Sequence, residues 1–310
     1  MKTTSAVRSF LWTLPAALLC VAVVVIALRS HTTEVNSDQV ASRAQLVDLT
    51  ERVRVALATA SDAERSAVLA ITDQESQSFA NQSRAATAEV DRLRAELTGL
   101  LAAGDHPTER ESLDRFAKSF EEFRTLDAEI LALAVKNTNL KAYGIAFGTA
   151  AQAVDEINKS LSHLVDKSTT PRDAALSAAR AQIAVLHLQT LLAPHIAAES
   201  EPKMRALETL MDEDDKAVRT HIDALASVPS LHGDPDLSAA RASYSRFADL
   251  RAQILALSHE NTNVRSLSLT LDGNRSRVMT ACQDALADLR QALIAEPSSP
   301  VIPLNPRHIR

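Results

Sequence analysis

An internal repeat restricts the fold of this chain more than any other feature. Residues 120–139 read FEEFRTLDAEILALAVKNTN and residues 244–263 read YSRFADLRAQILALSHENTN, so ten of twenty positions are identical at an offset of 124 residues, without a gap. A repeat of this length indicates two copies of one supersecondary unit. In both copies apolar residues recur every three to four positions, the spacing of an amphipathic helix. The chain must therefore accommodate two similar helical units.

Turn and capping residues divide each copy into four predicted helices. In the first copy a turn is predicted near 73–81, and Pro107 opens the third helix. In the second copy Pro171, Pro202 and Pro235 each stand at a predicted helix start. Short connections between helices of roughly 30 residues favour antiparallel neighbours, which predicts an up-down four-helix bundle for each copy.

The predicted fold class is all-α, with a single N-terminal transmembrane helix followed by two tandem antiparallel four-helix bundles. Only six of 310 residues are glycine, which disfavours β-rich folds and phosphate-binding loops. The predicted divisions are a cytoplasmic leader and anchor at 1–32, a first bundle at 33–168 and a second bundle at 169–296. Residues 297–310 contain four prolines in fourteen positions and are predicted to be a disordered tail.

The membrane anchor is predicted from the segment 9–28, SFLWTLPAALLCVAVVVIAL, which contains no charged residue. A helix of twenty residues spans about 30 Å, the thickness of a bilayer core. A cleaved signal peptide is the alternative, although its apolar region is usually only about 7–15 residues long. Lys2 and Arg8 place the N-terminus in the cytoplasm. We therefore expect a single-pass protein of the inner (cytoplasmic) membrane whose bulk is extracytoplasmic, in the periplasm.

Charge and motifs exclude several classes of function. The net charge of −6 disfavours nucleic acid as a partner, because binding phosphates requires a basic face. The sequence contains no G-x-S-x-G, H-E-x-x-H, Walker or Cys-x-x-Cys motif, so neither an enzyme nor a cofactor is predicted. Cys20 and Cys282 are interpreted as small apolar side chains.

Three residues of one predicted helix are candidate metal ligands. His187, His195 and Glu199 are spaced by eight and four residues, which places them on roughly one face. With His163 or His221 from a neighbouring helix they could ligate a metal ion. Histidines at the surface of a bundle are the favoured interpretation, so no metal site is predicted.

The candidate functional residues are two polar triplets that recur at the same position of the repeat. One interpretation is a polar layer that contacts a ligand or transmits a helix shift. Two structural interpretations compete with it: buried polar residues that define helix register, and caps between consecutive helices. The residues are Asn137, Thr138, Asn139, Asn261, Thr262 and Asn263.

These patterns resemble the four-helix-bundle extracytoplasmic sensory domain of methyl-accepting chemoreceptors. The pattern F-x-x-L-x-x-x-I-L-A-L from Phe123, with the Asn-Thr that follows, resembles the region between its third and fourth helices. Residues 63–76, AERSAVLAITDQES, resemble the end of its first helix. The resemblance covers residues 33–168 directly. It extends to residues 169–296 because that stretch repeats the first. Such receptors also have a second membrane span and a cytoplasmic methylated coiled coil, which this sequence does not show. Some chemoreceptors carry a sensory module of two interleaved bundles rather than tandem ones.

The resemblance implies a membrane-anchored extracytoplasmic sensory and signal-transduction module. It would bind a small ligand or partner and signal laterally to a second membrane protein that carries the output. The long helices and the single anchor favour a homodimer. The alternative is a non-enzymatic structural or adaptor protein that mediates protein–protein interaction at the membrane.

Overall fold

The computed structural model describes the backbone of residues 13–295 and the side chains of residues 40–295. This part of the chain consists of helices and connecting turns, in agreement with the predicted all-α class. The predicted anchor at 9–28 and the predicted tail at 297–310 lie outside the residues whose side chains are described. Within the described residues, none of the helices has both the length and the apolar character needed to cross a membrane.

Helix starts follow the local signals, and one predicted turn is displaced. Proline stands in the first turn of α3, α7 and α8, and Asp234 accepts a hydrogen bond at its carboxylate from the backbone N–H of Asp236 at 2.9 Å. The turn predicted near 73–81 lies at 70–72 instead. A π-helical turn at Ala146–Ala150 joins α4 to α5. The helices are α1 (Thr13–Leu69), α2 (Asp73–Ala102), α3 (Pro107–Ala134), α4 (Thr138–Ile145), α5 (Ala151–Asp166), α6 (Arg172–Ile196), α7 (Glu201–Ala226), α8 (Pro235–Glu260), α9 (Thr262–Leu271) and α10 (Gly273–Ile294).

The chain divides into two units, and each unit is assembled from separated stretches of sequence. The first unit contains residues up to Leu57, Ala88–Phe120 and residues from Thr280 onward. The second unit contains Ala58–Thr87 and Glu121–Met279. The helices α1, α2, α3 and α10 are each divided between the units, with one part in the first unit and the other part in the second.

The first unit brings the C-terminal helix α10 against helices from the first copy. Arg290 on α10 forms an ion pair with Glu51 on α1 at 2.7 Å, and Asp288 on α10 forms one with Arg115 on α3 at 2.9 Å. The buried apolar side chains of all four helices form the interior. They include Leu46, Leu49, Val53, Leu93, Leu97, Leu113, Phe116, Leu286, Leu289 and Leu293.

The two units of the structure are not divided at residues 168 and 169, where the tandem bundles are predicted to meet. The larger part of the last helix of the second copy, from Thr280 onward, belongs to the same unit as parts of α1, α2 and α3, whereas its first residues, 273–279, belong to the unit that contains the rest of the second copy. The backbone at Asp272 is extended, with φ of −63° and ψ of 140°, which separates α9 from α10. Apolar periodicity identifies the buried face of a helix but not the helix that covers it.

The second unit contains a four-helix bundle of its own. In this bundle α5 packs between α6 and α8, and α7 packs on α6 and α8. Alanine lies at many buried positions, among them Ala150, Ala178 and Ala181, which are fully buried. Small side chains allow the helix backbones to approach closely. Larger buried residues that fill this interior include Leu161, Leu188, Leu192, Met211, Val218 and Phe247.

The division of the chain predicts that residues 33–168 do not fold by themselves. α10 contributes four buried apolar side chains, Val278, Leu286, Leu289 and Leu293. Burial of each stabilises the folded state by about 1.5–3 kcal/mol, and a fragment without α10 lacks this contribution. This loss is comparable to the total stability of a domain, about 5–15 kcal/mol. Circular dichroism during heating should show a cooperative transition for residues 33–295 and a broad one for residues 33–168. Cooperative melting of the shorter fragment within a few degrees of the longer one would support the tandem arrangement.

Candidate functional site

The two polar triplets meet at one place in the second unit. The first triplet connects α3 to α4, and the second connects α8 to α9. Asn137 and Asn261 both have φ of 51° and ψ of 39°, which is the left-handed conformation. Asparagine tolerates this conformation better than most residues because its short side chain bonds locally. The same residue type therefore ends the same helix in both repeats.

The remaining residues of the triplets exchange hydrogen bonds where α4 meets α9. The backbone N–H of Thr138 donates to Oγ1 of Thr262 at 3.2 Å, and the N–H of Thr262 donates to Oγ1 of Thr138 at 3.1 Å. The N–H groups of Asn139 and Asn263 donate to each other's Oδ1 at 3.1 and 3.2 Å. Each repeat thus caps the first turn of the other repeat's helix. We call these six residues, 137–139 and 261–263, the Asn-Thr-Asn crossing.

The crossing also holds the C-terminal end of α6. Nδ2 of Asn139 donates to the carbonyl of Ile196 at 2.8 Å, and Nδ2 of Asn261 donates to the carbonyl of Ala198 at 3.0 Å. Carbonyl groups at the end of a helix have no partner within that helix. The crossing satisfies the carbonyl of Ile196, the last residue of α6, and that of Ala198, two residues beyond it, and thereby ties the end of α6 to both repeats.

The geometry of the crossing combines a helix cap with a contact that defines register. Five of its six residues are buried, and Asn263 is half-buried. Buried polar groups must be paired, so a shift of α4 past α9 by one residue would break all four reciprocal bonds at once. The polar groups of the crossing are directed at each other, at backbone carbonyls and, from Nδ2 of Asn137, at Oδ1 of Asp73, which lies 3.0 Å away. A direct contact with a ligand stays a prediction for these six residues.

The candidate metal-ligating histidines lie apart from each other in the structure. Nδ1 of His187 lies 2.6 Å from Oδ2 of Asp214, and Nδ1 of His163 lies 3.3 Å from a carboxylate oxygen of Asp236. Glu199 is exposed. His195 is fully buried, and it contacts residues of α7 and α8 instead.

Sequence reasoning missed Glu208 of α7 and His259 of α8, which are among the residues that His195 contacts. A signal for His259 was present in the repeat. The first copy has Ala134–Val135 where the second copy has Ser258–His259, two positions before the shared Asn-Thr-Asn. A polar pair that replaces an apolar pair inside a matching repeat indicates a feature particular to one copy.

A buried charged cluster lies elsewhere in the second unit. Nε and Nη2 of Arg275 donate to Oε2 of Glu64 at 3.0 and 2.6 Å, and the guanidinium lies 4.3 Å from the centre of the Phe123 ring. Asp127, also buried, accepts a hydrogen bond from Oγ of Ser83 at 2.9 Å. Two buried carboxyl groups therefore share the neighbourhood of one guanidinium.

Asp127 is the carboxyl group whose protonation this cluster alters. Burial raises the pKa of the Asp127 carboxyl to about 7, the negative charge of Glu64 acts in the same direction, and the hydrogen bond from Ser83 opposes the rise. A neutral Asp127 leaves Glu64 and Arg275 as a balanced ion pair. The cluster is therefore electrically neutral only while Asp127 keeps its proton.

A shallow groove of about 280 Å³ is formed by residues of α7 and α8. Arg219 and Arg241 line it, which are residue types that bind carboxylate ligands. However, Arg219 already bonds Asp215 at 2.7 Å, and Arg241 bonds Asp223 at 3.1 Å. An anionic ligand would have to displace these carboxylates, so the groove has no prepared anion site.

The arrangement of helices can be compared with known proteins. Residues 17–171, half of the chain, match the sequence profile of a family described as a four helix bundle sensory module for signal transduction. This chain belongs to that family. The resemblance to the chemoreceptor sensory domain, which was inferred from the sequence, is thereby confirmed. The matched residues of this sensory module include the first triplet of the crossing.

A solved structure has a similar fold. The sensor domain of the histidine kinase TorS from V. parahaemolyticus aligns with a TM-score of 0.50 over 82% of this chain and 96% of the other, at 11% sequence identity. At this identity the likeness concerns the fold. A search of curated proteins found no matching relative.

Loss of either threonine hydroxyl at the crossing should destabilise the sensory module. Thr138→Val and Thr262→Val each leave the partner's backbone N–H buried without an acceptor, which costs about 1–3 kcal/mol. The two costs should be similar because the two positions are equivalent. Urea unfolding of the single and double variants measures the free energies of unfolding.

Thr209→Val is the matched control for these substitutions. Thr209 is exposed on α7, and its hydroxyl donates to the carbonyl of Arg205 in its own helix. We expect a change within about 0.5 kcal/mol for the control. If Thr138→Val costs no more than Thr209→Val, the crossing does not hold the helices.

The stability of the protein should depend on the ionisation of Asp127. Between about pH 4 and pH 7 the native state keeps a proton that the unfolded chain has lost. The stabilisation from this group is therefore complete below about pH 4 and lost as the pH rises to about 7. The asparagine of Asp127→Asn is neutral at every pH. The free energy of unfolding of this variant, measured relative to the wild type, should therefore increase as the pH rises from about 4 to about 7 and stay constant above pH 7.

Urea unfolding from pH 4 to pH 8 tests this dependence. Asp155→Asn, at an exposed position of α5, controls for the removal of one carboxylate. Parallel pH profiles for the wild type and Asp127→Asn would contradict the raised pKa.

Proposed function

We propose that this chain is the extracytoplasmic sensory part of a membrane-anchored signalling protein. In this proposal the segment 9–28 holds it at the inner membrane, and the exported helices bind a small ligand or a protein partner without catalysing a reaction. The signal passes laterally to a second membrane protein, and a homodimer is the expected form. Membership of the sensory-module family and the uncharged N-terminal segment support the proposal.

The observation that carries the proposal is the Asn-Thr-Asn crossing. It links the end of α6, which belongs to the bundle of α5–α8, with the first turns of α4 and α9. Ligand-driven helix displacements are typically about 1–2 Å, and packed helices pass on such shifts because their contacts are discrete. A displacement of α6 would strain the hydrogen bonds at Ile196 and Ala198. The strain would reach α9 through the reciprocal bonds.

Thermal unfolding of residues 33–295 against a panel of amino acids, organic acids and aromatic compounds tests whether a ligand binds. A compound that binds only the folded state stabilises it by about 2.7 kcal/mol at a hundredfold excess over Kd. We expect one chemical class to raise the Tm with dose. Amide hydrogen exchange of α9 should then change on binding.

The double variant Thr138→Val/Thr262→Val separates binding from transmission. It should bind the same compound, since α5–α8 are unaltered, but exchange in α9 should no longer respond. An unchanged response would contradict transmission through the crossing. A fragment that unfolds cooperatively and is stabilised by no compound would contradict a small-ligand sensor.

An adaptor that binds another protein is the second candidate function. An exposed apolar face on α6 favours it, since Leu176, Ile183 and Leu186 lie on one side of this helix and are 50, 68 and 45% exposed. Such a face is suited to a protein partner. Stabilisation by a partner protein, with no response to small molecules, would favour this candidate.

A further inference from the structure

A cluster of two histidines and one glutamate lies where α6, α7 and α8 come together. Nε2 of His195 is 2.8 Å from Oε1 of Glu208, and Nε2 of His259 is 2.6 Å from the same oxygen. One ligand atom from each residue lies within 4.8 Å of the others. The ligand atoms of a tetrahedral zinc ion are ~3.3 Å apart, given bond lengths of ~2.0–2.1 Å. Small side-chain rotations therefore suffice to place a metal ion among the three.

Neighbouring groups orient both imidazole rings toward Glu208. Nδ1 of His195 lies 2.8 Å from Oγ of Ser258, whose hydroxyl donates to the backbone carbonyl of His195 at 3.0 Å. Nδ1 of His259 lies 3.4 Å from a carboxylate oxygen of Glu201. Histidines that bind metals usually donate their other ring N–H to a group of this kind, which aims the remaining nitrogen at the metal.

The contacts of His195 suit a metal ligand at Nε2. Nδ1 lies 2.8 Å from Oγ of Ser258, and Nε2 lies 2.8 Å from Oε1 of Glu208. In the tautomer that carries its proton on Nδ1, the Nε2 lone pair is directed at the carboxylate, which is the position of a shared metal ion.

The burial of the three side chains favours a site that is open on one side. His195 is fully buried, whereas the side chains of Glu208 and His259 are 26 and 38% exposed. The cluster thus has a fixed inner ligand and an outer side through which an ion and water can enter.

Comparison of the two repeats shows that helix packing does not require these residues. The first copy has Ala134–Val135 at the positions of Ser258–His259, before the same Asn-Thr-Asn. Ala134 is buried in an apolar interior with Ile130 and Leu131. The second copy thus carries a hydrogen-bonding serine and an imidazole where an apolar pair suffices for the fold.

We propose that His195, Glu208 and His259 form a binding site for a divalent transition-metal ion of the zinc class. The two imidazole nitrogens and one carboxylate oxygen are ligands that zinc, cobalt and nickel prefer, whereas magnesium and calcium prefer oxygen ligands. Water completes the coordination on the exposed side. The ion joins the end of α6 to α7 and α8, next to the carbonyls of Ile196 and Ala198 that the crossing holds. The site stands independently of the sensory role proposed above.

Zinc binding to the full chain, purified in detergent without a histidine tag and treated with chelator, tests this site. Calorimetric titration should show one zinc ion bound per chain, and zinc should raise the Tm. Cobalt should give the visible absorption of a site with nitrogen ligands. Magnesium should bind at least a hundredfold more weakly than zinc.

His259→Gln and Glu208→Gln should each weaken zinc binding at least tenfold and abolish the rise in Tm. His259→Gln is the more decisive variant, because His259 lies at the exposed edge of the cluster and its loss should leave the fold intact. His187→Gln is the matched control, since His187 is on the same helix as His195 and pairs with the single carboxylate of Asp214. It should bind zinc like the wild type.

Two results would overturn the site. One is a wild-type chain that binds no zinc at millimolar concentration. The other is a folded His259→Gln variant that binds zinc as tightly as His187→Gln, which would show that zinc binds adventitiously at surface histidines.

Discussion

The reciprocal hydrogen bonding between the first turns of α4 and α9 is the constraint on which the second unit depends. Both helices begin inside the protein, where water cannot reach their free N–H groups. Thr138 and Thr262 supply the missing acceptors for each other. Because each repeat completes the other, neither helix start is satisfied without the second copy. The attachment of α6 to the crossing follows from the same need, since the carbonyl of Ile196 at its end and that of Ala198 just beyond it also require partners.

The interior around the crossing is largely alanine and leucine. Such an interior does not by itself define how far one helix is shifted along its neighbour. Apolar faces of similar shape slide past one another at low cost, whereas buried polar groups pair in one register only. The Arg275–Glu64 pair has the same effect near the start of α10. Buried ion pairs add little net stability, but loss of one partner leaves a costly unpaired charge. Both polar clusters therefore select one arrangement among many apolar alternatives.

The two repeats share a scaffold and differ in the chemistry placed on it. The left-handed asparagine and the reciprocal bonds recur in both copies, because the helix break needs them. The residues immediately before the break differ, with Ala134–Val135 in one copy and Ser258–His259 in the other. A shared scaffold tolerates such divergence because those side chains face a different neighbouring helix in each copy.

The amino-acid sequence by itself determined the helical class, the repeat, the prolines at helix starts and the polar triplets as the notable residues. Each of these depends on local periodicity or on capping chemistry, which short stretches of chain express. The pairing of α10 with α1, α2 and α3 was decided only in the tertiary structure, because an apolar helix face fits many partners. The same holds for the grouping of His195 with Glu208 and His259. These residues lie on three helices, and only packing brings distant parts of a chain within hydrogen-bond distance.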